Sequence, residues 1–427
     1  MNKRVNYLQI FLIAGITFFA GYFFGLNKIN LDWKNYKPII NVTSKEPPPA
    51  VTNVDFSPFW TVWQKLQANY YDKSKLDQQK MLNGAITGMV QAIGDPFTLY
   101  LPPVANNNFK QGLAGQFSGI GAELGTKDKD IVVISPLDGS PAEKAGIRAG
   151  DIVQAVDGQS VAGWSLSQAV DKIRGPKGTN VTLTVIHKDT KEKKDIKITR
   201  DVITVKSVAM DIRDAKCTST GCSIIAKGDK CTGDGCTQFA YIRLSQFGDN
   251  TNQEWLAMVK GIADKMNKNK NIKGIVFDLR NNPGGYLTDA TFIASEFIPK
   301  GEVVVSEDNG TQKEDLTAQR DGLLLTPKMV VLINKGSASA SEIVSGALRD
   351  YGRAELVGET SFGKGTVQAA EDLGSGAGLH VTIAKWLTPK GTWVNGKGLT
   401  PDVSVSLDLK DPSRDTQLEK GVFELVK

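Results

Sequence analysis

Two stretches of this chain repeat one pattern, and together they restrict it to folds that lay helices against a buried sheet. Gly274-Ile275-Val276-Phe277-Asp278-Leu279 is a short, nearly continuous apolar run, and Met329-Val330-Val331-Leu332-Ile333 is another. Such runs read as strands buried on both faces. The first passes into Arg280-Asn281-Asn282-Pro283-Gly284-Gly285 and a helix. The second passes through Asn334-Lys335-Gly336 into Ser337-Ala338-Ser339-Ala340-Ser341-Glu342, which opens a helix reaching Tyr351. Ahead of both lies Asn250 to Lys268, an amphipathic helix with Trp255, Leu256, Val259, Ile262 and Met266 on one side. Strand, turn and helix in alternation define an α/β layer architecture.

The turns carry the chemistry. Gly284-Gly285, after a buried strand and before a helix, presents backbone N–H groups with no side chain in the way, as an oxyanion site requires. A plain strand-to-helix turn would look the same. Ser339-x-x-Glu342 reads as a capping box, and Ser337 could cap as well. A serine in that place can equally be a nucleophile, because its neighbours' free N–H groups face a developing oxyanion. It then needs a base. Gly358-Glu359-Thr360-Ser361-Phe362-Gly363-Lys364-Gly365 begins like a phosphate-binding loop, but Gly365 stands where Ser or Thr must hold magnesium. Its lysine, between glycines, could pack in a tight site. Buried there it would lose charge and act as a base; left in a surface loop it would not.

Composition narrows the alternatives. The 427 residues suggest two to four domains, and 41% hydrophobic with 23% charged residues is ordinary for globular protein. A net charge of +5 without a basic block gives no reason to expect nucleic-acid binding. The two histidines are His187 and His380, so any histidine-based triad or metal site must use one of them, and no H-E-x-x-H exists.

Tyr7 to Leu26 is a twenty-residue run without a charge. At 1.5 Å per residue it would span about 30 Å, the thickness of a bilayer core. Its length and the lack of a clear A-x-A site favour a signal anchor over a cleaved signal peptide. The long domain that follows would then lie outside the cytoplasm, on a single-pass cell-membrane protein. Gly21 and Gly25 form G-x-x-x-G, a helix-dimer pattern that leaves homo-oligomerisation open. Asn41 to Asn53, with prolines at 47 to 49, reads as a semi-rigid spacer. The cysteines, Cys217, Cys222, Cys231 and Cys236, fall in a doubled motif, KCTSTGC then KCTGDGC. In an oxidising space they suggest two disulfides, with three pairings open; a four-thiolate zinc site is the rival. The Gly, Ser, Thr and Asp between them predict a surface loop that the chemistry does not need.

Between anchor and catalytic half, Phe56 to Phe109 reads as helical. Phe59, Trp60, Trp63, Leu66 and Tyr70 recur at three and four as an amphipathic face, and Gly94-Asp95-Pro96 breaks the second helix. From Gly112 to Arg200 the pattern turns to short strands: Ile131 to Ile134, Ile152 to Val156 with an Asp157-Gly158 hairpin turn, and alternating Val181 to His187. One short helix, Leu166 to Ile173, lies among them. Gly119-Ile120-Gly121-Ala122 lacks the third glycine of a dinucleotide fingerprint, since Leu124 stands there. With Ser140-Pro141-Ala142, Ala145-Gly146-Ile147 and Gly150-Asp151-Ile152-Val153, it makes this stretch resemble a PDZ domain. In such a domain the Gly turn points N–H groups at a terminal carboxylate and a strand edge accepts the peptide. A plain β-domain with a Gly turn is the bland alternative.

Taken in order, the motifs resemble those of the carboxy-terminal processing, or tail-specific, proteases. The resemblance runs from about Phe59 to Val405. It rests on Gly94-Asp95-Pro96-Phe97-Thr98, the PDZ segment with Arg174-Gly175-Pro176-Lys177-Gly178-Thr179, Asp278 through Gly285, Gly336 through Glu342, Gly363-Lys364-Gly365-Thr366-Val367-Gln368, and Gly398-Leu399-Thr400-Pro401-Asp402. It implies a Ser-Lys serine endopeptidase with Ser339 as nucleophile, Lys364 as base and Gln368 orienting it. The N–H groups of Gly285 and Ala340 would form the oxyanion hole, and Gly119, Ile120, Gly121 and Ala122 would bind a substrate C-terminus. The cysteine segment departs from the family pattern. Were Lys364 to Gln368 a strand, its ends would lie about 13 Å apart, so direct contact needs a turn or kink.

The expected architecture is an α/β multidomain chain. It has a tail and transmembrane helix over 1–30, a Pro-rich linker over 31–57, a helical segment over 58–111, a PDZ β-domain over 112–200 and a ββα-repeat, crotonase-like protease core over 201–407. The core carries a cysteine-rich insertion at 214–237, and a C-terminal tail covers 408–427. No cofactor and no metal is called for. Two rival readings remain: a non-catalytic PDZ adaptor on a decayed protease core, and an acyl-thioester enzyme, whose oxyanion holes use similar turns. The intact set Ser339, Lys364 and Gln368 argues against the first, the anchor and PDZ segment against the second.

Overall fold

The architecture is that of a computed structural model, which describes residues 17–18, 29–34, 37–42, 54–127, 130–137, 139–187, 191–226, 228–408, 411 and 414–427. It divides into two units, Met1–Leu82 and Asn83–Lys427. In the first, strands Ile29–Lys34 and Lys37–Val42 pair antiparallel, ahead of helix Ser57–Asn69. No side chain of that helix is buried, and Trp60 is 53% exposed. The expected aromatic face therefore has no core beneath it within this unit. Apart from Thr17 and Phe18, the anchor Tyr7 to Leu26 lies outside the described residues, as do 43–53 of the linker. Among the described residues no helix is long and apolar enough to cross a membrane.

In the larger unit, a β-domain follows helix Pro103–Leu113. Its main sheet runs Lys193–Thr199, Asn180–Ile186, Ile152–Val156, Asp130–Pro136 and Ala122–Lys127, with the last strand at one edge. Ile131, Val133, Val153, Val156, Val181, Leu183 and Val185 point into its core. Ile134, expected to be buried, is 51% exposed, and buried positions along Asn180–Ile186 do not alternate, because part of that central strand is covered on both faces. Helix Leu166–Ile173 has the bounds expected, fixed by a capping box between Ser165 and Gln168. Asp157 and Gly158 both adopt positive φ, as a two-residue hairpin turn demands.

The second half is built on a seven-stranded sheet. Its order is Cys222–Ile224, Val208–Cys217, Cys236–Leu244, Ile272–Asp278, Met329–Ile333, Glu355–Gly358 and Val403–Ser404. From Cys236–Leu244 onward the pairs are parallel. The two apolar runs are thus its central strands, side by side, with Val276, Phe277, Val331 and Leu332 fully buried. Helix Thr251–Lys268 buries Trp255, Val259 and Ile262, while Leu256 is 53% exposed rather than on the buried face. Helices Leu287–Ala294 and Ala340–Asp350 pack on the same core. A second sheet, Lys313–Thr317, Val303–Asp308, Gly378–Leu387 and Thr366–Asp372, is joined by the short strand Leu99–Leu101.

The cysteine segment is more than a surface loop. Each heptad closes on itself, Cys217 with Cys222 and Cys231 with Cys236. Cys217 and Cys222 face each other across a hairpin that forms the sheet's edge, and Cys222 is buried beside Ala215, Val422 and Leu425. Edge strands need a device against further pairing, and a covalently closed hairpin supplies one.

Candidate active site

Parallel strands end together, so the turns after Ile272–Asp278 and Met329–Ile333 meet beyond the C-terminal ends of the sheet's central strands. The first is anchored by Asp278, which is 1% exposed. Its carboxylate accepts from Tyr241 Oη at 2.7 Å, Arg243 Nη1 at 2.8 Å, and Arg280 Nε and Nη2 at 3.0 and 2.6 Å. Burial works to raise its pKa, but the two guanidiniums and the phenol overcome it and hold the carboxyl below its ordinary range. Arg280 continues to Asp415 with two bonds of 2.7 Å, tying down the N-terminus of helix Thr416–Val426. Asn281, at φ 56°, exchanges hydrogen bonds with Asn334 of the neighbouring turn. The asparagines of this motif are therefore staples between the two turns, a role their spacing alone did not disclose.

Gly284 and Gly285 then pass against the second turn. A methyl group on Gly284 would lie 2.8 Å from Ser339 Cβ and 2.9 Å from Ala340 N. One on Gly285, at φ 142°, would lie within the volume of the Phe247 carbonyl oxygen. Among the described residues no hydrogen bond engages the N–H of Gly285 or of Ala340. Just beyond, burial and the neighbouring Asp249 push Asp289 up to about 6, against a hydrogen bond from Asn252.

The three serines of the second turn differ sharply. Ser337 Oγ donates to Leu279 O at 2.8 Å and accepts Asn334 N at 3.0 Å. Ser341 Oγ donates to Asn282 O at 2.7 Å. Both residues are fully buried, so their hydroxyls are structural. Ser339 is half-buried and sits at φ 55°, directly before helix Ala340–Asp350. A non-glycine residue there carries roughly 1–3 kcal/mol of backbone strain, which the surrounding fold must hold.

What holds it is Glu342, anticipated only as a helix cap. This carboxylate is fully buried. It accepts from Ser339 N at 2.8 Å, Ser361 Oγ at 2.6 Å, Gly363 N at 2.7 Å and Lys364 N at 2.9 Å. One side chain thus clamps the serine turn to the lysine loop. The same bonds dispose of the phosphate-loop resemblance: the loop's N–H groups already enclose an internal anion. Gly363, at φ 88°, is needed because a methyl group would lie 2.8 Å from Gly398 N. Trp386 Nε1 and Trp393 Nε1 fix the carbonyls of Lys364 and Gly365 at 2.9 and 2.8 Å.

Lys364 is half-buried. Burial draws its pKa down, with Asp95 and Glu342 pulling the other way. Its Nζ lies 5.3 Å from the centre of the Phe97 ring. Gln368 lies on the following strand, Thr366–Asp372, whose pairing slips by one residue between Val367 and Gln368. Its Nε2 donates to Thr366 Oγ1 at 2.8 Å and Thr382 Oγ1 at 3.1 Å. Among the described residues no hydrogen bond joins it to Lys364. Asp95 and Phe97 belong to a motif noticed for its turn, and the signal that could have flagged them is its place in the family pattern.

The remaining candidates fall elsewhere. Gly119 ends strand Gln116–Gly119, and Gly121 sits at φ 74° with Ser140 Cβ pressed close. Ile120 is buried, and Ala122 begins the edge strand of the β-domain. His187 Nδ1 lies 2.9 Å from Asp151 Oδ1, both buried inside that domain. His380 packs edge-on against Phe109 at 4.5 Å. No cluster of metal ligands exists among the described residues, and the cysteines are paired.

These features define a class: a PDZ-type β-domain joined to an α/β core in which a strained serine lies against a Gly-Gly turn and shares one buried carboxylate with the loop of a half-buried lysine. The family models agree. Residues 238–405 match peptidase family S41, residues 109–186 the PDZ domain, and residues 16–103 the N-terminal domain of the activating protease CtpB. A probable CtpA-like serine protease of Staphylococcus epidermidis is 41% identical over 347 residues, 81% of this chain and 64% of that protein. One from Staphylococcus aureus is 40% identical over 346 residues, covering 81% and 63%. This chain thus spans less than two thirds of those relatives' length. A photosystem II D1 C-terminal processing protease aligns at 30% identity and TM-score 0.49 over 82% of this chain and 92% of that one. A putative S41 protease from Bacteroides fragilis, at 14% identity and TM-score 0.51, covers 81% and 90% and shares the fold. The chain therefore carries a peptidase family S41 segment and a PDZ segment, and over most of its length it is similar to CtpA-like serine proteases.

Proposed function

We propose that this chain is a serine endopeptidase that cleaves near the C-termini of protein substrates outside the cytoplasm, held at the cell membrane by a single span over Tyr7 to Leu26. The observation that carries the reading is the Glu342 clamp. It binds the N–H groups of Ser339 and Lys364 at once, in a site where the two flanking serines are already committed.

In this mechanism Ser339 is the nucleophile and Lys364 the general base. Neutral Lys364 takes the Ser339 proton as Oγ attacks the substrate carbonyl carbon. The tetrahedral oxyanion lies against the N–H groups of Gly285 and Ala340. The protonated lysine returns its proton to the leaving amine, and water, activated the same way, releases the acyl group from Ser339. A free lysine, with pKa near 10.4, would stay protonated at neutral pH, so burial of Lys364 is what makes it a base. Gln368, held by two threonines, orients the lysine's surroundings. Gly119, Ile120, Gly121 and Ala122 receive a free substrate C-terminus, which adds along the edge strand Ala122–Lys127. A decayed adaptor would have no need of the strain at Ser339 or the half-buried lysine.

The test is cleavage of unfolded proteins by the full chain and its variants. Ser339→Ala and Lys364→Ala should each lose activity by at least about a thousandfold, and to a similar degree, because the two act as a unit. Lys364→Arg should fail as well, since arginine does not deprotonate. Turnover surviving in a folded Lys364→Ala protein would refute the Ser-Lys assignment.

A further inference from the structure

The Gly94–Thr98 segment is bound to the second sheet beside the lysine. Asp95 Oδ1 accepts Phe97 N at 3.0 Å and Oδ2 accepts Thr98 Oγ1 at 2.6 Å. Thr98 Oγ1 in turn accepts Thr382 N at 3.1 Å, and Thr382 Oγ1 accepts Gln368 Nε2 at 3.1 Å. The next residues, Leu99–Leu101, pair with Gly378–Leu387, and Asn106 Nδ2 donates to Gly376 O at 2.9 Å. A chain of hydrogen bonds therefore runs from Asp95 to Gln368, and the segment carries Phe97 over Lys364 Nζ.

We propose that this turn is a tuning wall for Lys364, with Phe97 as its apolar cover and Asp95 as a positioning residue that favours its ammonium form. The proposal rests on Lys364 being the base and adds what sets its proton affinity. The two parts act in opposite directions. Phe97 keeps water from the amine, which penalises the charged form. A ring at this distance also attracts a cation, but burial is the larger influence on Lys364. Asp95 stays ionised: burial works against it, yet the hydroxyls of Thr382 and Thr98 and two N–H groups hold its carboxyl low. Its charge, reaching Lys364 through space, favours the ammonium. The other ionisable groups that sense the lysine are Glu342, on helix Ala340–Asp350, and His380, on strand Gly378–Leu387. Neither belongs to the turn, so variants within the turn leave both in place.

The experiment reads the lysine itself. In the full chain carrying Ser339→Ala, Lys364 is titrated by pH-dependent acetylation with acetic anhydride, followed by peptide mass spectrometry. Asp95→Asn should lower the titration midpoint by about one pH unit. Phe97→Ala should raise it, and Asp95→Glu should leave it near the parent value. In the active chain, the acid limb of kcat/KM should move in the same directions. A purely structural turn would lower kcat without moving either midpoint, and that result overturns the proposal. So would shifts of the same sign from Asp95→Asn and Phe97→Ala. The acetylation midpoint does not depend on catalysis. Failure of the Ser-Lys mechanism would show as activity in Lys364→Ala, and failure of the tuning wall as an unmoved midpoint.

Discussion

Asp278, at the end of one central strand, and Glu342, on the helix that follows the next, are both buried carboxylates, and each joins segments far apart in sequence. Their partners differ in kind. Asp278 is met by two guanidiniums and a phenol. Glu342 is met only by a hydroxyl and three backbone N–H groups. The first is a neutralised structural knot, extended by Arg280 to Asp415 and the C-terminal helix. The second has no cation among its hydrogen-bond partners, in a site where a half-buried lysine feels it. A buried ion pair stabilises little beyond a well-packed apolar substitute, but losing one partner is severe. A buried anion held by neutral donors is free to act on something else.

The strongest way to break this comparison is Asp278→Asn. It leaves Arg280 and Arg243 facing a neutral amide, with Arg280 almost buried. Loss of one partner of such a cluster costs about 3–5 kcal/mol. Urea unfolding should show that loss, and the remaining acid sensitivity should show its sign. The carboxyl is held below its unfolded value of about 3.9, so its contribution is present above that pH and lost as pH falls through the folded value. The variant should lack this part of the parent's acid unfolding. A loss under about 1 kcal/mol would mean the cluster is not the knot described.

Glu342→Gln should behave differently. No buried cation is orphaned, so the protein should fold, but an amide can accept at one oxygen only and must present donors to N–H groups. The serine turn and lysine loop then loosen against each other, and kcat should fall about 10- to 100-fold with KM little changed. Removing the negative charge also removes one of the influences that favour the Lys364 ammonium, so the acid limb of the pH profile should move to lower pH. A drop in stability as large as that of Asp278→Asn, with an unshifted limb, would erase the distinction.

The contrast also explains what the sequence made legible. Both strand–turn–helix units, three of the β-domain's strands and the bounds of Leu166–Ile173 are written in local periodicity and capping residues, which act over a few positions. Helix Ser57–Asn69 and helix Thr251–Lys268 show the same three-and-four spacing, yet one buries Trp255 completely and the other buries nothing. Periodicity names a face and not its partner. The role of Glu342 was hidden for a related reason. Its capping contact with Ser339 is local, but its bonds to Ser361, Gly363 and Lys364 depend on how the chain returns through Glu355–Gly358. Asp95 reaches the lysine only through the antiparallel pairing of Leu99–Leu101 with Gly378–Leu387. The cysteine pairing was undetermined because three pairings satisfy the same spacing, and only the hairpin register selects one.

The smallest expected effect tests whether the lysine works at the fold's expense. If Asp278 is a charge that stabilises, Lys364 is one that opposes folding, since burial draws its pKa below that of the unfolded chain. Folded protein then binds fewer protons than unfolded protein between the folded lysine value and about 10.4. In that window stability contributed through this residue rises with pH. Below it the full cost is present, and above it the cost is gone. Lys364→Met keeps the length and apolar stem while removing the titration. It should be inactive yet more stable than the parent at neutral pH, and the gap should close as pH approaches 10. Chemical unfolding of both proteins from pH 6 to 10 measures it. A gap constant across that range would mean the methionine merely packs better, and a parent more stable at neutral pH would mean Asp95 and Glu342 outweigh the burial of the amine.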